Sequence, residues 1–232
     1  MIHVLMNVDE NYIKPCQVVM QSIVDNTRHK VRFHIIGEDF DTDKDVVFYE
    51  KPDLSMLKNT NQNAYITMSA CYRLFAPYLD LDKVIYIDCD TVVLGDIQEL
   101  WCQNVEYIGG VLDPMYIHQA RKNNLKHKYI NSGVMVMNLK NLRKLPYLTM
   151  IKATQNGNYN LSLLDQDIIN IAFGRYISLL PYEWNVYSKI YSNTTDEMQK
   201  ARNNPKLIHW CGKDKPWNAD VWKKDEWFRY VL

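Results

Sequence analysis

VIYIDCDTVVLGD, residues 84–96, sets two aspartates between two apolar runs. Val84-Ile85-Tyr86-Ile87 leads to Asp88 and Asp90, Val92-Val93-Leu94 follows, and Gly95 closes the stretch. An unbroken series of β-branched and aromatic residues suits a strand buried on both faces, the habit of parallel sheets. Two carboxylates cannot lie in the buried middle of such a strand without compensating charge. The spacing therefore predicts them at its carboxyl end, where open α/β sheets bind ligands. One residue apart, their side chains can point the same way and offer oxygen ligands to a hard divalent cation.

With 232 residues, one large α/β domain is the expectation. Hydrophobic residues make up 47% and charged residues 23%, ordinary values for a packed core under a solvated surface. Lysine plus arginine and aspartate plus glutamate number 27 each, so the overall charge gives no argument for nucleic acid or anionic membrane as partner. Cys16, Cys71, Cys89, Cys102 and Cys211 are odd in number and show no C-x-x-C spacing, which fits free thiols in a reduced compartment. The first residues, MIHVLMNVDENY, have no basic leader, and no apolar stretch reaches membrane-spanning length; a cytoplasmic location is expected.

Outward from the centre, Ile2–Met6, Val31–Ile36, Val46–Tyr49, Tyr107–Leu112 and Val134–Leu139 read as strands. Tyr12–Asn26 carries a helical apolar pattern with Pro15 in its first turn, giving a βαβ unit with a right-handed crossover. The polar turn after the first strand lies where a nucleotide would sit, although no GxGxxG is present, and Asp9 is the candidate there for a base or ribose hydroxyl. Tyr65–Tyr78 is predicted as a helix and Asn131-Ser132-Gly133 as a small-residue turn where backbone approaches a ligand. Leu139–Thr154 is predicted as a helix kinked by Pro146, and Asp165-Gln166-Asp167 as the capped start of another. Tyr176–Leu180, Tyr182–Tyr187 and Pro205–Trp210 read as strands, Glu197–Asn203 as a helix, and Asp220–Leu232 as an amphipathic terminal helix.

Six strings, in order, carry a resemblance: NVDENY (7–12), YRLFAPYL (72–79), VIYIDCDTVV (84–93), NSGVMVMNL (131–139), DQDIIN (165–170) and IHWCGKDKPW (208–217). Together they make the chain similar to the retaining sugar-nucleotide glycosyltransferases of family 8, the glycogenin and bacterial lipopolysaccharide galactosyltransferase type. The resemblance implies one GT-A-type domain over residues 1–232 with a mostly parallel central sheet and a Rossmann-like amino-terminal half. Residues 1–115 would be the nucleotide-binding half, 116–217 the donor-sugar and acceptor half with the metal-histidine loop, and 218–232 an aromatic-basic tail.

It further implies Asp88, Asp90 and His209 as ligands of manganese, or magnesium, beside the diphosphate of a UDP-sugar. Lys215 would touch that diphosphate, Gly212 would let backbone approach it, and Cys89 lies inside the DxD. Asn7, Asp9, Asn11 and Tyr12 fall in the uridine-contact region; Arg73, Asn131, Ser132, Asp165 and Gln166 surround the donor sugar; Trp210 and the 211–217 loop would fold over the donor.

The implied reaction breaks a sugar–phosphate bond and leaves a diphosphate, so a divalent ion at the leaving oxygen lowers the barrier. Two carboxylates and one imidazole suit manganese better than magnesium. Taken singly each residue also has a plainer reading: Asp88 and Asp90 as a solvated turn, His209 as a partly buried core histidine, Arg73 as a helix ion-pair partner, Asp165 as a cap. Gln166 is a poor nucleophile, which favours a front-face route in which the leaving phosphate accepts the acceptor's proton. Gln166 would then steady charge at the anomeric carbon through its carbonyl while Asp165 and Arg73 complete the catalytic set. The expected activity is hexosyl transfer, glucose or galactose, to a glycan or lipid-linked saccharide of the lipopolysaccharide kind. A sugar-nucleotide-binding module and a nucleotidyltransferase are the rivals, the second disfavoured because residues 7–12 hold neither glycine nor lysine. Arg121–Lys128 reads as either an acceptor lid or a solvated loop, and the tail from Trp222 as either a contact for a membrane surface or a segment packed on its own domain.

Overall fold

A computed structural model describes residues 1–57, 67–191 and 194–231. Among these the chain builds ten strands in two sheets. The strands are β1 (Ile2–Val8), β2 (Val31–Gly37), β3 (Val46–Tyr49), β4 (Lys83–Ile87), β5 (Thr91–Val93), β6 (Ile108–Leu112), β7 (Ile130–Asn138), β8 (Ile177–Leu179), β9 (Val186–Tyr187) and β10 (Leu207–His209). The large sheet runs β3-β2-β1-β4-β7-β6-β8, with β5-β10-β9 forming the small one. Pairs β1–β2, β2–β3, β1–β4 and β6–β8 are parallel; β7 is antiparallel to both its neighbours, β4 and β6. The sheet is mostly parallel, with one reversed strand inside it.

Alternation along these strands splits the core in two. Val4, Met6, Ile85, Ile87 and Val136 face helix α1 (Ile13–Asn26), whose Val19, Met20 and Ile23 complete that layer. Leu5, Val84, Tyr86, Met135 and Met137 face the opposite way, onto Leu74 and onto Ile168, Ile169 and Phe173. Both faces being covered, the strands need no polar side, which is why they read as continuous apolar runs. The switch in strand order between β1 and β4 opens a crevice at their carboxyl ends.

The remaining helices are α2 (Ile97–Trp101), α3 (Tyr116–Lys122), α4 (Leu139–Leu142), α5 (Tyr147–Asn156), α6 (Asp165–Phe173), α7 (Asp196–Asn203) and α8 (Lys224–Phe228). Several departures from the sequence-based expectation have local causes. Residues Met68–Tyr78 form a 3-10 rather than an α-helix; Pro77 lacks an N–H, and the carbonyls of Ser69 and Ala70 accept from the Asn7 amide and that of Ala70 also from Arg73 Nε. The expected start at Tyr65 lies outside the described residues. Pro146 does not kink one helix but separates α4 from α5 as the N-cap of the second. Asn131-Ser132-Gly133 is not a turn: it lies inside β7, whose first residue, Ile130, has its N–H and C=O both satisfied by the Asn170 side chain.

The terminal helix is confined to five residues, and it packs on its own domain. Trp227 and Tyr230 join Val18, Val92, Ile208 and Trp210 in a third apolar cluster, while Phe228 and Val231 stay exposed. The basic stretch after α3 leaves the helix at Asn123 and passes through Asn124 at a φ of 53°. Among the described residues no helix is long and apolar enough to cross a membrane.

Candidate active site

Asp88-Cys89-Asp90 is the corner at which the chain leaves β4 in the large sheet and enters β5 in the small one. On the small sheet β5 pairs antiparallel with β10, Thr91 opposite His209. That register brings the histidine, more than a hundred residues later, against the two aspartates. Each carboxylate is divided between a structural and an inward-facing oxygen. Asp88 Oδ1 accepts from Arg73 Nη2 at 2.7 Å and from the Tyr86 hydroxyl at 2.8 Å. Asp90 Oδ2 is ion-paired with Lys215 Nζ, which also donates to the Trp210 carbonyl at 2.8 Å. The other two oxygens face His209 Nε2, Asp90 Oδ1 at 3.1 Å and Asp88 Oδ2 at 3.8 Å.

One ligand atom from each of the three lies within 4.8 Å of the others. Two hard oxygens and one imidazole nitrogen, each with its remaining atoms engaged elsewhere, suit a divalent metal ion. The backbone leaves the room: a Cβ on Gly133 would meet His209 Cε1 at 2.3 Å and Asp88 Oδ2 at 2.6 Å. Only glycine lets β7 pass so close behind the cluster.

Charge is concentrated here. Burial pulls the Asp90 carboxyl up, but Lys215 and His209 outweigh it and hold it well below the usual carboxylate range. Burial works against a charged His209, and Cys211 and Asp90 together raise it well above its ordinary value. Lys215 is likewise raised by Asp90 against the effect of burial.

These groups form part of the wall of a cavity of about 380 Å³. Asn7, Asp9 and Tyr12 line it from the end of β1, Arg73 from the 3-10 segment, and Asp88, Cys89 and Asp90 from the corner. Asn131 and Ser132 come from β7, Asp165 and Gln166 from the start of α6, and His209, Gly212 and Lys215 from β10 and the loop after it. Of the 211–217 loop only Cys211, Gly212 and Lys215 line the cavity, and of the other residues singled out from sequence for the site two lie outside it. Asn11 is exposed and outside the cavity; the 3-10 turn Glu10–Tyr12 uses its backbone N–H, which donates to Asp9 Oδ1, and not its side chain. Trp210 does not fold over the cavity but is buried in the third cluster, its Nε1 donating to the Trp222 carbonyl.

Some side chains in the wall are fully engaged with protein. Arg73, 4% exposed, stacks over the Tyr86 ring, pairs with Asp88 and with Asp165 Oδ2 at 3.2 Å, and donates to the Ser132 carbonyl at 2.6 Å. It is a hub that joins three walls. Asp165 does not cap α6; Leu164, at a φ of 46°, occupies the N-cap position, and the carboxylate serves Arg73 and the Ser132 hydroxyl instead. Burial, opposed by Arg73, raises its carboxyl to about 6. Cys89 Sγ donates to the Asn7 carbonyl and ties the β4 end to the β1 end. Gln166 Oε1, the oxygen expected to face the anomeric carbon, here accepts from Asn131 Nδ2 at 2.8 Å and from the Ser132 N–H at 3.1 Å.

Other residues of the site had escaped notice in the sequence. Asp113 follows β6 as Asp88 follows β4, a carboxylate just past a strand's carboxyl end, and that placement was the available signal. Its Oδ2 accepts from Gln166 Nε2 at 3.2 Å and from the Tyr187 hydroxyl at 3.0 Å, and burial raises its carboxyl. Tyr187 and Tyr191 complete that side of the cavity, and Asn185 stands behind His209.

The chain is similar to known proteins along nearly its whole length. The family model "Glycosyl transferase family 8" matches residues 3–221. General stress protein A of Bacillus subtilis is 27% identical over 99% of this chain and 92% of its own. The lipopolysaccharide 1,2-glucosyltransferase of Escherichia coli K12 is 27% identical over 94% of this chain and 73% of its own. This chain spans only 57% of another relative, glycosyltransferase GlyF of Streptococcus pneumoniae, at 23% identity. Among solved structures, the galactosyltransferase LgtC bound to donor and acceptor sugar analogues superposes with a TM-score of 0.82 at 21% identity, over 99% of this chain and 95% of that one. The family match along nearly the whole length, with the crevice at the strand ends and the Asp-Cys-Asp corner with its histidine in keeping with it, places the chain in glycosyl transferase family 8, as a glycosyltransferase.

Proposed function

We propose that the chain transfers glucose or galactose from UDP to a hydroxyl of a saccharide or lipid-linked saccharide, with manganese at Asp88, Asp90 and His209. One observation carries this reading: the inward oxygens of Asp88 and Asp90 and Nε2 of His209 converge on the wall of a 380 Å³ cavity that opens at the β1/β4 switch point. A cavity of that size suits a small polar ligand with several recognition groups. Manganese, when bound, supplies Lewis-acid stabilisation of the charge that develops on the diphosphate.

The chain's own residues do the rest. Asp9, steadied by the Thr67 and Ser69 hydroxyls, and Asn7 with Tyr12 form the wall on which uridine would rest. Gly212, at a φ of 89° and with no atom near its Cβ position, leaves open backbone for a phosphate. Lys215 adds a point charge from the buried side of the same loop. Asp165 and Arg73 fix the donor-sugar wall, and Gln166 spans from that wall to Asp113. Acceptor hydroxyls would enter beside Asp113, Tyr187 and Tyr191, rings of the kind that stack on sugars.

A front-face displacement fits the wall best. The sugar–phosphate bond breaks, the leaving phosphate oxygen takes the acceptor's proton, and the acceptor oxygen bonds to the anomeric carbon on the same face. The Gln166 amide offers no carboxylate for an alternative double displacement. Phe228 and Val231, exposed beside the packed tail, would lie against a membrane surface when the acceptor is lipid-linked, at the cytoplasmic face.

The test is UDP release from a panel of UDP-sugars with manganese, with magnesium and with chelator. Manganese-dependent release from one sugar, abolished in Asp90→Asn, is the expected result. No release from any sugar together with no manganese-dependent UDP binding overturns the proposal; manganese-dependent UDP binding without turnover leaves a binding module.

A further inference from the structure

Behind His209 runs an unbroken series of side-chain amides, and its polarity is fixed from one end. The Gly133 N–H donates to Asn131 Oδ1 at 3.0 Å, and the Ser132 N–H donates to Gln166 Oε1 at 3.1 Å. A backbone N–H can only donate, so both acceptor atoms are oxygens and not amide nitrogens. Asn131 therefore turns its Nδ2 to Gln166 Oε1, at 2.8 Å. Asn185, which meets Asn131 Oδ1 at 2.7 Å, must present its own Nδ2 there. Its Oδ1 is left facing His209 Nδ1, at 2.9 Å. An oxygen acceptor at that distance requires a proton on Nδ1. The lone pair of the neutral ring then sits on Nε2, the atom that faces Asp88 and Asp90.

We propose that Asn185 is a positioning residue for the metal histidine. It fixes the Nδ1–H tautomer and the ring plane, and through Asn131 it ties that ring to the same amide series that orients Gln166. The inference rests on the manganese reading given above and adds to it the residue that makes His209 a ligand. The burial of the series supports the assignment: Asn185 is 5% exposed and His209 3%, so neither has solvent to take the partner's place. The two backbone N–H groups of β7 that set the polarity belong to the strand that Gly133 brings up against the cluster. Ligand geometry and donor-sugar geometry are thus set by one piece of main chain.

The test measures manganese binding in the presence of UDP by the loss of the free-ion EPR signal, and nitrogen coordination by pulsed EPR, alongside kcat. Asn185→Ala removes both contacts and should weaken manganese binding by about 10–100-fold, with a weakened nitrogen modulation. Asn185→Asp keeps an oxygen on Nδ1 but sets a second oxygen against Asn131 Oδ1. Its manganese affinity should stay within about threefold of the parent, while kcat falls by about tenfold or more as Gln166 loses its orientation. This near-isosteric variant keeps the proposal testable where the alanine variant does not fold. Parent-like manganese binding and nitrogen modulation in Asn185→Ala would overturn the proposal, as would an Asn185→Asp that loses as much affinity as the alanine. A parent chain that binds no manganese with UDP would instead overturn the functional reading together with this one.

Discussion

Gly133 and His209 are packed so closely that the α-carbon of one has no space for a substituent beside the ring of the other: an added Cβ would lie 2.3 Å from His209 Cε1. Gly133→Ala should therefore push the imidazole off the Asp88–Asp90 pair. Overpacking of this kind costs about 1–3 kcal/mol, a modest loss in melting temperature. Manganese binding should suffer far more than stability, and isothermal titration beside thermal melts separates the two. Equal losses in both would show that the glycine serves only packing.

Lys215 and Asp90 form a buried ion pair next to the same histidine. Lys215→Met leaves Asp90 facing His209 alone. Removing one partner of a buried pair costs about 3–5 kcal/mol. In chelator the variant should melt well below the parent, and manganese, a replacement counter-charge, should recover most of that difference. Donor KM should rise while the metal is saturating. Recovery that is no greater with manganese than with sodium would refute the coupling.

Two buried groups give stability opposite dependences on pH. Asp165 is raised by burial to about 6, so between its unfolded value near 3.8 and about 6 the folded state holds the extra proton and stability falls as pH rises. His34 is lowered by burial, and secondarily by His3, to about 4, so between about 4 and 6.5 the unfolded state holds the extra proton and stability is lost as pH falls. Each group contributes roughly 1–3 kcal/mol across its window, and the two slopes oppose each other where the windows overlap. Asp165→Asn should make the fold more acid-sensitive than the parent between pH 4 and 6, and His34→Asn less so. Urea unfolding at several pH values reads both slopes; parallel curves for all three chains would contradict the assignment.

Trp227 sits between Trp217 and Phe228 over the small sheet, with ring centroids at 5.2 Å from each. Trp227→Ala should cost about 3–5 kcal/mol. Because the third cluster includes Trp210 and, partly buried, Trp217 at the two ends of the Lys215 loop, donor KM should also rise. An unchanged KM in a destabilised protein would confine the tail to a packing role.

Much of this was legible in the sequence because it is carried by local patterns. Continuous apolar runs marked β1, β2, β4 and β7, and the spacing of Asp88 and Asp90 marked the corner. What escaped is carried by contacts across the chain. Nothing in the pattern around Asn131 shows that Asn170 satisfies the backbone of Ile130, and without that contact the small residues read as a turn. The 3-10 form of residues 68–78 depends on an Asn7 side chain some sixty residues earlier. Asp113 and Asn185 are polar residues in loops until His209 and Gln166 are brought to them. Arg73, marked by its place among the motifs, turned out to spend its donors on the protein itself.

The aspartate corner lies where the two sheets meet, and the histidine comes from the far plate. A cation held there would act as a rivet through both, its grip depending on how squarely the plates are aligned. Competence for transfer then becomes a mechanical property of the whole small sheet. A cut or insertion near α8, remote from any ligand, would be felt first as a loosened rivet and only afterwards as a weakened fold.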